Sequence, residues 1–261
     1  MSTTTLTPPI AVTTSGVHAR PGLGRLVAVE LRKMVDTRAG FWMQVATVAL
    51  TVLVVIVALT VGDAADHTFA AVFDVALFPA AVLLPVAGVL LVTSEWSQRT
   101  GMVTFALVPV RSRILGAKVI ASVALTVAML AMCAAVVATG VLVASPPVDG
   151  TWSDTGTLIA QTAVYLAGGI LTGVAFGAAI LASAPAIVAL FALPIAWTAL
   201  ASLSLFAGVA PWLDTRLALA PLHQDVLSTT QWAQAGTALA LWMLLPLLVG
   251  TWRITRREVT V

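Results

Sequence analysis

The sequence predicts an all-α, polytopic membrane protein in which six helices cross the bilayer behind an N-terminal amphipathic helix lying at its surface. Hydrophobic residues fill 60% of the 261 positions and charged residues only 9%, whereas an ordinary globular domain is about half apolar and about a quarter charged. Six apolar stretches each approach the roughly twenty residues that carry a helix across about 30 Å of hydrocarbon. The cations gather in alternate connecting segments. So few charges cannot coat a soluble particle of this length, and lipid must cover the remainder.

Residues 1–21 are rich in Thr, Ser and Pro and hold no apolar run of the length a secretory signal needs, so the expectation is a disordered cytoplasmic tail with no cleaved leader. Residues 22–261 then form one transmembrane domain. Over 22–38, Leu23, Leu26, Val27, Leu31, Met34 and Val35 recur at helical spacing while Arg25, Arg32 and Asp36 mark another face, the pattern of an interfacial helix. The spans follow at about 40–61, 73–93, 119–144, 158–182, 186–207 and 235–252. They are continuous apolar runs without the alternation of a barrel strand, so only helices satisfy their backbone in lipid. Trp42, Trp96, Trp152, Trp212, Trp232 and Trp252 lie near span ends, where an amphipathic ring suits the headgroup level.

Orientation follows from the loops. With both termini inside, twelve of the thirteen Lys and Arg residues are cytoplasmic and Arg216 alone is external, while Asp63, Asp66, Asp74, Asp149, Asp154, Asp214 and Asp225 lie outside. That is the positive-inside pattern. The expectation is a multi-pass protein of a bacterial plasma membrane, the inner one where there are two. The external segment 208–234 is too apolar for a solvated loop, and two readings stay open: short helices re-entering the membrane, or helices lying flat on it.

Catalytic equipment is not visible. His18 falls in the tail, and His67 and His223 fall in external segments, with no recognisable constellation around them. There is no H-E-x-x-H, no paired carboxylate within a span, and neither Lys33 nor Lys118 follows a phosphate-cradling glycine loop. Cys133, the single cysteine, reads as a small buried hydrophobe. The expectation is a chain with no catalytic, cofactor-binding or metal-binding residues, and no nucleic-acid partner, because the cations form no aromatic-interleaved patch. Asp74 reads as a solvated acid at a helix end. Gln161 and Tyr165, one turn apart in the fourth span, are candidate pathway residues or simple helix-packing polarity. Gly169, Gly173 and Gly177 repeat along one helix face, favouring close packing within the chain over a dimer seam.

The segment 94–118 is too structured for a plain connector. A polar turn containing Glu95, Arg99 and Gly101, a short apolar piece ending at Pro109, and a basic helix start with Arg111, Arg113 and Lys118 follow one another, which suits short helices offered to a cytoplasmic partner. In the order of these residues the chain resembles the membrane subunits of type-2 ABC exporters, the ABC-2 permeases, and Glu30, Arg32, Lys33 and Arg38 resemble that family's interfacial helix. The resemblance spans the chain in topology, with its motifs loose and concentrated in these two stretches. It implies an ABC-2 type transmembrane domain in which 94–118 docks on a separate ATPase subunit carrying ATP and Mg, and in which 208–234 corresponds to re-entrant exit helices. Topogenic charge alone would also account for these cations. The expected function is a non-enzymatic permease subunit of an ATP-driven exporter, paired with a second copy or homologue, passing a hydrophobic or amphipathic drug, lipid or peptide. A secondary transporter or channel, or a non-transporting membrane anchor or regulator, is the competing expectation.

Overall fold

The computed structural model describes residues 22–63, 67–97, 111–144 and 150–256. The tail 1–21 and the central part of the 94–118 segment lie outside these residues. Among the described residues the fold is all helical, and six helices are long and apolar enough to cross a membrane. The chain is a multi-pass membrane protein. Helix α1 (Leu23–Asp36) turns Glu30 and Met34 inward and leaves Arg25 and Arg32 exposed. Thr37 then makes the corner. Its hydroxyl donates to the Lys33 carbonyl at 2.9 Å and accepts the Gly40 N–H at 3.1 Å, closing one helix and capping the next.

Helix α2 (Arg38–Val61) has 24 residues, about 36 Å of rise. It buries Gly40, Gln44, Thr47, Thr51 and Val55 and exposes Trp42, Leu53, Ile56 and Val57, an apolar outer face that lipid would cover. The second span, 69–95, is broken at Leu77 into α3 (Phe69–Ala76) and α4 (Phe78–Ser97). Pro79 is the cause, because it has no N–H to return to the Val75 carbonyl. Helix α5 (Arg111–Ala144) runs 34 residues, about 51 Å, so its charged first two turns extend the third span beyond the stretch that hydropathy marks.

Helix α6 (Thr155–Ile180) is the centre of the bundle and packs on α4, α5 and α7 (Ser183–Ala201). Lipid tails are as apolar as leucine, so helices associate in membranes through close contact rather than through hydrophobic transfer. Gly173 of α6 supplies that contact: a Cβ there would stand 1.9 Å from the Pro85 carbonyl oxygen of α4. The crossing is reciprocal, since a Cβ on Gly88 would meet the Ile170 carbonyl oxygen at 2.3 Å. The glycine row of α6 thus packs within the chain, as its spacing predicts. The main apolar core gathers Met34, Val55, Phe73, Leu84, Val137 and Ile170 from α1 to α6.

After α7 the segment that follows packs against its neighbours through several short helices. Phe206 returns to the Trp197 ring, 5.8 Å between centroids, and α8 (Ala210–Leu213), α9 (Thr215–Leu219) and α10 (Pro221–Gln224) pack beside their neighbours with Ala218 and Leu222 buried. The Trp242 indole donates to the Leu213 carbonyl at 2.8 Å. The last span begins with α11 (Thr229–Leu239), six residues earlier than its hydropathy suggests. A capping box fixes that start: Ser228 accepts the Gln231 N–H and Gln231 answers on the Ser228 N–H. The helix continues through a π turn (Ala240–Leu244) into α12 (Leu245–Arg256). Pro246, which cannot donate to the Trp242 carbonyl, accounts for that irregularity.

Candidate functional site

Four of the residues that the sequence singles out meet at one end of the bundle. Lys118, in the second turn of α5, donates to Glu30 Oε2 at 2.7 Å, to Glu95 Oε1 at 3.1 Å and to the Leu91 carbonyl at 3.0 Å. Lys33 donates to Glu30 Oε1 and to Glu95 Oε1, each at 2.7 Å. The side chains of Lys118, Glu30 and Glu95 are 4%, 5% and 7% exposed and that of Lys33 is 34% exposed. Two ammonium groups balance two carboxylates, so the quartet is neutral as a unit. Burial disfavours the charge on Lys33, but hydrogen bonds and attraction from Glu30 and Glu95 outweigh it and hold its pKa above the ordinary lysine value.

The geometry ties three elements together. Glu95 sits in the last turn of α4 and Lys118 in the second turn of α5, the two helices that flank residues 98–110, and both join α1 through Glu30 and Lys33. Buried charges move as a set, because parting any pair strands a charge away from water. The four charges thus link the end of α4 and the start of α5 to α1. This places Glu95, Lys118 and Glu30 as paired, buried side chains at the ends of the helices that flank the 98–110 segment. Beside the quartet lies a cavity of about 600 Å³ whose wall includes Lys33, Thr37, Arg38, Met43, Leu91 and Ser183.

The remaining sequence-marked residues are spread out. Arg32 is exposed and pairs with Asp36 at the limit of contact, 4.0 Å, a surface pair that contributes little. Arg38 is exposed on the rim of the cavity. Arg113 is half-buried in the first turn of α5, and Arg111 starts that helix. Arg99, Gly101 and Pro109 lie outside the described residues. Neither a scan against protein-family models nor a search of curated proteins finds a match to this chain. Among the described residues no group of three or more His, Cys, Asp and Glu side chains gathers around a metal position.

Gln161 and Tyr165 stand far from the quartet, toward the other end of α6. That helix reaches the charged end near Ala179, where Arg253 bonds to its carbonyl, and the 18 residues from Gln161 to Ala179 measure about 27 Å. Gln161 clamps the returning segment, donating to the Asp225 carbonyl at 2.7 Å and accepting the Leu227 N–H at 3.0 Å. Tyr165 stacks on His223 with centroids 4.6 Å apart, and His223 Nδ1 pairs with Asp74. His223 and Asp74 are thus joined, where the sequence reading has an isolated histidine and a solvated acid. No local pattern announces a pair separated by 149 positions. Replacing Gln161 with leucine removes both bonds to the Asp225 carbonyl and the Leu227 N–H, each worth about 0.5–1.5 kcal/mol net. The expected result is amide exchange at Leu227 faster by on the order of tenfold or more, with exchange in the middle of α4 unchanged.

Proposed function

We propose that this chain is the membrane-spanning permease subunit of an ATP-driven exporter of the ABC-2 type, working with a separate ATPase subunit and a second copy or homologue. Both termini face the cytoplasm of a bacterial cell, and the quartet of Glu30, Lys33, Glu95 and Lys118 lies at that face. The observation that carries this reading is the quartet itself, because it joins the helices on either side of residues 98–110 to the surface-lying α1. An ATPase that grips those residues can move α1, α4 and α5 together and bias the bundle between two states. The cargo is a hydrophobic or amphipathic molecule taken from the inner leaflet. Twelve cations on the same side support the orientation.

Three experiments test this. The buried Cys133 gives way to serine, and single cysteines are placed at Arg111 and at Val226. A membrane-impermeant maleimide applied to intact cells is expected to label Val226→Cys at once and Arg111→Cys only after permeabilisation. The reverse pattern inverts the topology and removes the proposed docking face from nucleotide. A photo-crosslinker at Thr104 is expected to trap an ATPase with a Walker motif. Cargo movement by the purified chain in vesicles without any ATPase would overturn the reading in favour of a secondary transporter.

A further inference from the structure

Two in-helix prolines and the π turn of the last span line one space. A cavity of about 300 Å³ is bounded by Pro85 of α4, Gly169 of α6, Pro194 of α7 and Trp242 of the π turn, with Tyr165 and Arg216 nearer the returning segment. Pro85 and Pro194 sit inside their helices, the π turn widens the last span, and Gly168 and Gly169 put backbone where other residues would put side chains. Helix interiors pack tightly by default, so two in-helix prolines, a π turn and two adjacent glycines around one space mark it as built. The opening is lined mainly by Leu, Ile, Phe, Pro and Trp. Its one charged wall residue is Arg216.

Arg216 differs from the other cations in its place along the chain. It is the single basic residue in the connecting segments that carry Asp63, Asp154, Asp214 and Asp225, and it is exposed at the cavity. Among the described residues no carboxylate forms an ion pair with it. Asp214, two positions away, is buried, and its Oδ1 accepts the backbone N–H groups of Arg216 and Leu217 at 2.8 and 3.2 Å, so the nearest acid is already engaged with the start of α9. The Trp242 N–H is likewise used by the Leu213 carbonyl. What remains open is an apolar slot with one unengaged guanidinium at its edge.

We propose that this cavity binds a single-chain anionic amphiphile, its carboxylate or sulfate on Arg216 and its chain between α4, α6 and α7. Guanidinium groups hold such oxyanions by paired N–H bonds. The volume lies at the lower end of the roughly 300–1,000 Å³ of small-molecule sites, which suits one chain rather than two. The proposal deepens the transport reading by naming a cargo class, yet binding is measurable with no ATPase and no transport, so either can fail without the other.

The full chain is reconstituted in nanodiscs of zwitterionic lipid and exposed to a fatty acid carrying a mid-chain diazirine, with the uncharged fatty alcohol bearing the same group as comparison. After illumination, mass spectrometry maps the adducts. Adducts are expected on peptides spanning 165–172 and 239–242, weaker by on the order of tenfold for the alcohol and for Arg216→Gln, and restored largely by Arg216→Lys. The side chain of Arg216 is exposed, so both variants are expected to fold, as an unchanged melting temperature would confirm. Equal labelling by acid and alcohol, or adducts confined to the outer faces of α2 and α7, would overturn the proposal. Displacement of the probe by phosphatidylglycerol as readily as by palmitate would also overturn it, by assigning the site to a bilayer lipid.

Discussion

Lys118→Met is expected to destabilise the folded chain by about 3–5 kcal/mol, the usual cost of stranding one side of a buried charge pair. The side chain is 4% exposed and serves both carboxylates, and the Leu91 carbonyl takes its third proton. Methionine fills similar volume but leaves Glu30 and Glu95 sharing Lys33 alone. Two buried carboxylates against one ammonium carry an uncompensated charge in a low-dielectric site, which water cannot reach cheaply. The measurement is the apparent melting temperature in detergent, with the surviving monodisperse fraction as a second readout. A companion variant separates loss of charge balance from loss of packing. In Glu95→Gln with Lys118→Met, the neighbouring Glu30 and Lys33 remain as a balanced pair at 2.7 Å, so the double variant is expected to lose less than Lys118→Met alone. Such non-additivity is the mark of residues acting as one network. Lys33→Met should fall between the wild type and Lys118→Met, because a third of Lys33 is already in contact with solvent. A Lys118→Met protein as stable as the wild type would remove the mechanical basis of the proposed coupling.

The helices were far more legible than their partners. Length and hydropathy suffice to place six spans, because the bilayer imposes one rule on every residue within it. Helix ends are set by other chemistry. Hydropathy alone misses the first turns of α5, which the basic helix start at Arg111, Arg113 and Lys118 marks instead, and misses the start of α11, although the Ser228 and Gln231 capping box is visible as a four-residue pattern. The α3–α4 break is foreshadowed only by Pro79.

The candidate site was half legible. Glu30, Lys33, Glu95 and Lys118 stand out one by one as charges beside apolar runs, but not as partners of one another. Their pairing joins positions 62 and 88 apart, and no local periodicity encodes a contact at that separation. His223 with Asp74, and Arg216 with its cavity, are hidden for the same reason. A surface charge and a buried strut have identical letters, and only the crossing of α1, α4 and α5 tells them apart.

That crossing depends in turn on how closely α4 and α6 approach, and Gly173→Ala is expected to disturb it more than any other single methyl group added to the α6 glycine row. The new Cβ would stand 1.9 Å from the Pro85 carbonyl oxygen and 2.8 Å from its carbon. These are backbone atoms, so no side chain can rotate aside and the two helices must move apart. Overpacking of this kind costs about 1–3 kcal/mol and sometimes more, and here it also loosens the facing contact at Gly88, whose own space is closed by the Ile170 carbonyl. Gly169→Ala is the internal control. It lies one turn away on the same face, but its Cβ would meet only the ring carbon Cγ of Pro85 at 3.4 Å, an ordinary contact, and alanine is the better helix former by about 1 kcal/mol. The expected order of melting temperatures is therefore Gly169→Ala equal to or above wild type, with Gly173→Ala well below both. Disulfide trapping supplies a second measure, since a cysteine pair placed across α4 and α6 near the crossing should form more slowly in Gly173→Ala. Equal stability of the two alanine variants would mean that α4 and α6 do not meet at Pro85 and Gly173. The quartet that hangs from the end of α4 would then have lost its fixed support.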